Sequence, residues 1–140
     1  LESIKSKYGY AILWDAHSIK SRVPNLFEGE LPNLNIGSNS GESCPNSIVE
    51  SIHKIANNSG FSVVLNDRFK GGYITRHYGK PAENVYAIQM EIAQRSYMNE
   101  LTLSYDERLS KKLTPILKLM LDTFIVNSEE YFKDRRYEEN

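Results

Sequence analysis

An α/β fold with a mostly parallel or mixed sheet flanked by helices is what three features of the sequence predict. Apolar, β-rich runs recur at residues 10–14, 61–65 and 85–92. A pattern with helical spacing separates the first two, and a longer one fills the last part of the chain. The strand runs give way to polar, chemistry-bearing side chains. Continuous apolar strands alternating with helices mark sheets covered on both faces, where sites gather outside the carboxyl ends of the strands.

The elements follow in order. Leu1, Glu2, Ser3, Ile4 and Lys5 read as the middle of an amphipathic helix with no cap before it, so polypeptide ahead of Leu1 is expected. Tyr10, Ala11, Ile12, Leu13 and Trp14 form a buried strand that stops at Asp15, Ala16, His17 and Ser18. Residues 19–47, rich in Pro, Asn, Ser and Gly, are a long loop interrupted only by a short strand at Leu34, Asn35 and Ile36. Pro45 stands at a first helical position, with Ile48, Val49, Ile52, Ile55 and Ala56 on one stripe and Asn57 to Gly60 as the stop. Phe61 to Leu65 is the next strand. Gly71 and Gly72 require a bend or a close approach. Val85 to Ile92 is the third strand, and beyond Asp106 helical spacing continues to the end of the chain, with Pro115 as a kink or a second start.

With 140 residues the chain fits one domain and buries roughly 68% of the surface its unfolded form exposes. A composition of 40% hydrophobic and 25% charged residues places it among folded globular domains. Its formal net charge of -1, with Lys and Arg scattered, excludes a polyanion-binding surface, so no nucleic-acid partner is expected. No apolar run approaches the ~18 residues of a membrane span, and no signal-peptide pattern opens the chain. Cys44 is the sole cysteine, which suits a reducing compartment and favours the cytoplasm.

Several residues carry candidate chemistry. In extended backbone Asp15 and His17 share a face, so His17 is either a metal ligand oriented by Asp15 or a hydrogen-bonded histidine. Gln89 and Glu91 share a face of the third strand. A carboxylate there is a general base or one half of an ion pair, with Arg95 the natural partner. Arg68, Lys70, Arg76 and His77 surround Gly71 and Gly72, and form either a grip for a ligand carboxylate or a solvated basic loop. His53 reads as a surface or boundary residue. Cys44 lacks a neighbouring base to activate it.

Four ordered segments, Trp14-Asp15-Ala16-His17-Ser18, the 24–37 loop with Leu26-Phe27-Glu28-Gly29 and Leu31-Pro32, the run from Arg68 to Gly79, and Gln89-Met90-Glu91, resemble the N-formylglutamate amidohydrolase family over residues 9–100. The resemblance implies a zinc carboxypeptidase-like α/β fold and hydrolysis of N-formyl-L-glutamate to formate and glutamate, late in histidine breakdown. It implies that residues 1–140 are the carboxyl-terminal part of a single such domain. His17 falls at a zinc-ligand position, Glu91 at the water-activating carboxylate, and Arg68, Arg76 and Gln89 at substrate-binding positions. The implied partner is a small acidic N-acyl amino acid. Only His17 matches a metal position, so the other zinc ligands are expected ahead of Leu1, unless His77 or Asp15 substitutes. A related N-acyl amino acid deacylase, or a truncated, non-catalytic domain of the same fold, are the alternatives.

Overall fold

The structure, a computed structural model, describes residues 1–138, and Glu139 and Asn140, the end of the expected terminal helix, lie outside the described residues. Helix α1 (Glu2–Tyr8) ends at Gly9, whose φ of 84° is left-handed and whose N–H caps the Lys5 carbonyl at 2.7 Å. No side chain of α1 is buried. Four strands follow in one sheet: β1 (Ala11–Ile19), β2 (Leu34–Gly37), β3 (Val63–Leu65) and β4 (Val85–Ala93), in the spatial order β1-β4-β2-β3. The expected mixed or parallel α/β sheet is therefore present. β1 lies parallel to β4 and β2 parallel to β3, but β2 runs antiparallel to β4.

This last pairing changes where the polar strand ends go. β1 and β4 deliver their carboxyl ends to the same side, whereas β2 and β3 point the other way. Asn66, which follows β3, is consequently drawn toward Gly37 and Ser38 rather than toward His17. Its Oδ1 accepts from Ser38 N at 2.8 Å and its Nδ2 donates to Ser38 Oγ at 2.9 Å.

Alternation along the strands sorts the two faces. Tyr86, Ile88 and Met90 of β4, with Leu34 and Ile36 of β2, join Ile48, Val49, Ile52 and Ala56 of α2 (Asn46–Asn57) and Leu113, Met120 and Phe124 in one buried core. The apolar stripe read from the sequence of α2 is the buried one; Pro45 caps the helix rather than starting it. The last helix, α4 (Glu107–Glu138), continues through Pro115 without a second start. A proline inside a helix costs about 3 kcal/mol through its missing N–H and its clash with the preceding turn. Packing offsets that: Phe124 meets Trp14 with ring centroids 6.0 Å apart, and Met120 is fully buried.

Two elements lie in segments to which the sequence reading assigns neither helix nor strand. Helix α3 (Tyr73–Tyr78) crosses the other face of the sheet, and a hairpin of β5 (Met98–Asn99) and β6 (Ser104–Tyr105) follows β4. Six-residue and two-residue elements are too short to display a period.

Candidate active site

The site grows out of strand register. β1 extends to Ile19, so Asp15 and His17 are strand residues and not the start of a loop. Asp15 lies beside Gln89 and His17 beside Glu91; across the next strand boundary Gly37 faces Gln89 and Asn35 faces Glu91. Directly paired residues share a face. The side of the sheet crossed by α3 thus carries two polar rows, Asp15-Gln89-Gly37 and His17-Glu91-Asn35.

The first row is roofed by residues 70–75. Gly37 makes this possible: a Cβ there would stand 2.7 Å from the Lys70 carbonyl carbon and 2.8 Å from Gly71 N, both backbone atoms. Gly71 has a φ of 130°, which a side chain would strain. Gln89 Oε1 accepts from Gly72 N at 2.5 Å, anchoring the start of α3, and Thr75, fully buried, donates from Oγ1 to Asp15 Oδ2 at 2.9 Å. Asp15 Oδ1 lies 2.7 Å from His17 Nε2. Because a carboxylate only accepts, Nε2 carries the proton and Nδ1 is the free nitrogen of the neutral ring.

The second row pairs the histidine with a buried carboxylate. Glu91 is 7% exposed and His17 keeps 44% of its side chain open to solvent. Burial pushes the Glu91 carboxyl above its usual range, the neighbouring His17 pulls it back, and Asp15 raises it again. Arg95 does not take Glu91 as its ion-pair partner; its Nε lies 3.6 Å from Glu30 Oε2. Asn35 is buried and donates to the carbonyls of Pro32 and Glu91 at 2.8 and 3.1 Å, while its Oδ1 has no partner among the described residues.

Beside the rows opens a cleft of about 770 Å³, walled by Phe27, Arg68, Phe69, Lys70, Arg76 and Gln89 among others. Phe27 and Phe69 meet edge to face at 6.2 Å and tie the 24–28 loop to the basic loop. Arg76 Nη1 donates to the Gly71 carbonyl at 2.5 Å, and the Arg68 guanidinium lies 5.7 Å from the Phe69 ring. The structure therefore brings Arg68, Arg76 and Gln89 to one cleft, and His17 and Glu91 to the adjoining row. His77 is elsewhere: it stacks on Tyr73 at 4.9 Å and lines a separate hollow with Ile74 and Tyr78. Asp15 has both oxygens engaged. No group of three His, Cys, Asp or Glu suited to a metal occurs among the described residues.

Thr75 and Asn35 were missed by reading the sequence, since neither residue type nor spacing marks them. Cys44 and His53 behave as expected. Burial raises the Cys44 thiol far above its usual range, so it stays protonated, and His53 bonds Asn57 one turn along α2 at 3.2 Å.

One face of the α/β sheet thus carries a histidine and a buried carboxylate, with an arginine-lined cleft on the same side, and this combination makes it the candidate active site. The N-formylglutamate amidohydrolase family model matches residues 1–98, and the chain belongs to that family. It is 43% identical over 135 residues to an N-formylglutamate deformylase of Pseudomonas putida, covering 95% of this chain and 51% of that protein. It is 42% identical over 134 residues to the deformylase of Pseudomonas aeruginosa, covering 94% and 50%. The fold matches the crystal structure of an N-formylglutamate amidohydrolase from Ralstonia eutropha JMP134 with a TM-score of 0.74 at 23% identity, over 95% of this chain and 48% of that one. The chain spans about half the length of the curated relatives it matches.

Proposed function

We propose that these residues carry the general base and the carboxylate grip of an N-formylglutamate deformylase, acting on N-formyl-L-glutamate or a close acidic N-acyl amino acid. The observation that carries this reading is that Gln89, two residues before Glu91 in β4 and on the same face, lines the cleft that holds Arg68 and Arg76. A substrate with two carboxylates suits two guanidinium groups, each able to offer two parallel hydrogen bonds. Gln89, fixed through Gly72, borders that cleft with its side-chain amide. Glu91 takes a proton from the attacking water and passes it to the leaving nitrogen as the C–N bond of the formamide breaks. Formate and glutamate leave. The raised carboxyl affinity of Glu91 for protons fits a group that must both accept and return one.

Zinc is the cofactor proposed here. Zinc, when bound, supplies Lewis-acid polarisation of the carbonyl and lowers the pKa of water. His17 fits as one ligand, with one nitrogen held by Asp15 and the other free. A catalytic zinc takes about three protein ligands, so the remainder are assigned to polypeptide ahead of Leu1. The whole is read as the carboxyl-terminal part of a single domain, residues 1–140, in a cytoplasmic enzyme; no described helix is long and apolar enough to cross a membrane.

The test is formate release from N-formyl-L-glutamate by the longest polypeptide carrying these residues, supplied with zinc. Glu91→Gln should lower kcat by roughly 10²- to 10⁴-fold, and full activity in that variant would remove Glu91 from the mechanism. Arg76→Ala should act differently, raising KM roughly tenfold or more with a smaller change in kcat. Acetate or succinate released faster than formate from the matching N-acyl glutamates would reassign the acyl group.

A further inference from the structure

We propose that Thr75 is a positioning residue for His17, acting through Asp15. The chain of contacts is short and fully described. Thr75 Oγ1 donates to Asp15 Oδ2 at 2.9 Å, and Asp15 Oδ1 receives His17 Nε2 at 2.7 Å. Thr75 is fully buried and Asp15 7% exposed, so water does not compete for the carboxylate. The proposal deepens the deformylase reading of this site and rests on it only for the use made of His17.

The hydroxyl of Thr75 leaves its own helix to reach Asp15. A threonine inside a helix ordinarily bonds back to the carbonyl three or four residues earlier. For Thr75 those are the carbonyls of Gly72 and Gly71. Arg76 N already donates to Gly72 O at 3.0 Å, and the Arg76 guanidinium holds Gly71 O at 2.5 Å. Thr75 departs from that pattern: its Oγ1 reaches the sheet and donates to Asp15 Oδ2. Valine at this position fills the same volume and offers no donor, leaving one oxygen of a buried carboxylate unpaired.

What Thr75 fixes is direction. A carboxylate with only one partner is free to turn about its Cβ–Cγ bond, and a turned Asp15 no longer faces His17 Nε2. Thr75 pins Oδ2, which aims Oδ1 at the ring and holds the proton on Nε2. Nδ1 is then the unprotonated nitrogen. Since Thr75 and Arg76 are consecutive in α3, and Gly72 at its start is held by Gln89, the same six-residue helix sets both the cleft and the histidine.

The tautomer of His17 reads this out on the 140-residue chain, without metal or substrate. Long-range ¹H–¹⁵N correlation spectra are recorded in mildly alkaline buffer, where imidazoles are neutral, and the His17 signals are assigned by their loss in His17→Gln. The unaltered chain should show a single Nε2–H tautomer; Thr75→Val should show mixed tautomers, and Thr75→Ser should return to the single one. A mixed or Nδ1–H pattern in the unaltered chain overturns the proposal even if Thr75→Val does not fold. So does a folded Thr75→Val with the unaltered spectrum, or Thr75→Ser failing as Thr75→Val does. Because formate release is measured separately, the deformylase reading can fail while this positioning role holds, and the reverse.

Discussion

Glu91 sits where ionisation is resisted, and that has a consequence for stability. Its folded-state carboxyl is raised by burial above the ordinary value of 4.5, so the native chain binds this proton more tightly than the unfolded chain. The resulting penalty is absent below the unfolded value, grows as pH rises through the interval, and is constant above the folded value. Glu91→Gln should therefore unfold at higher urea than the unaltered chain at about pH 7, with the difference shrinking toward about pH 4. A variant less stable at neutral pH would show that ionised Glu91 is stabilised by its neighbours. At this scale the sequence was partly readable. A carboxylate two residues from Gln89 in an apolar run announces itself by parity, as does the Asp15-His17 pair. Asn35 and Thr75 did not, because an amide in a four-residue strand and a hydroxyl in a short helix are common wherever backbone groups need partners.

Gly37 shows how an element shapes the site. It is the last residue of β2, faces Gln89 across the strand pair, and leaves the space in which Lys70 and Gly71 lie against the sheet. Gly37→Ala should push that segment away and destabilise the chain by about 1–3 kcal/mol, in the range of overpacking a well-filled site. Urea denaturation checks it, and an unchanged midpoint would mean that the roof lifts without cost. Helix α2 was legible from its stripe of Ile48, Val49, Ile52 and Ala56, all of them buried. Helix α3 was not. Its six residues between Gly72 and Gly79 span less than two turns, and its partners, Asp15 and Gln89, are distant in sequence.

The described residues centre on a four-stranded sheet with α2 and α4 on its apolar face and the candidate site, roofed by α3, on the other. Phe124 of α4 is fully buried and packs on Trp14 of β1, so it joins the last helix to the strand that carries His17. Phe124→Ala should cost about 3–5 kcal/mol, read from the denaturation midpoint at unchanged slope. A loss under about 1 kcal/mol would show that α4 is held elsewhere. The sequence by itself determined the α/β class, the apolar runs that form β1 to β4, α2 and α4, and the residue types available for chemistry. Alternation and helical spacing are local properties, set by backbone geometry and visible in any window of adequate length. The tertiary structure alone decided that β2 runs against β4, that Asn66 turns away from His17, and that residues 70–75 cross Gly37, Gln89 and Asp15. Those outcomes depend on register and chain reversal between segments far apart in sequence, which no local period encodes.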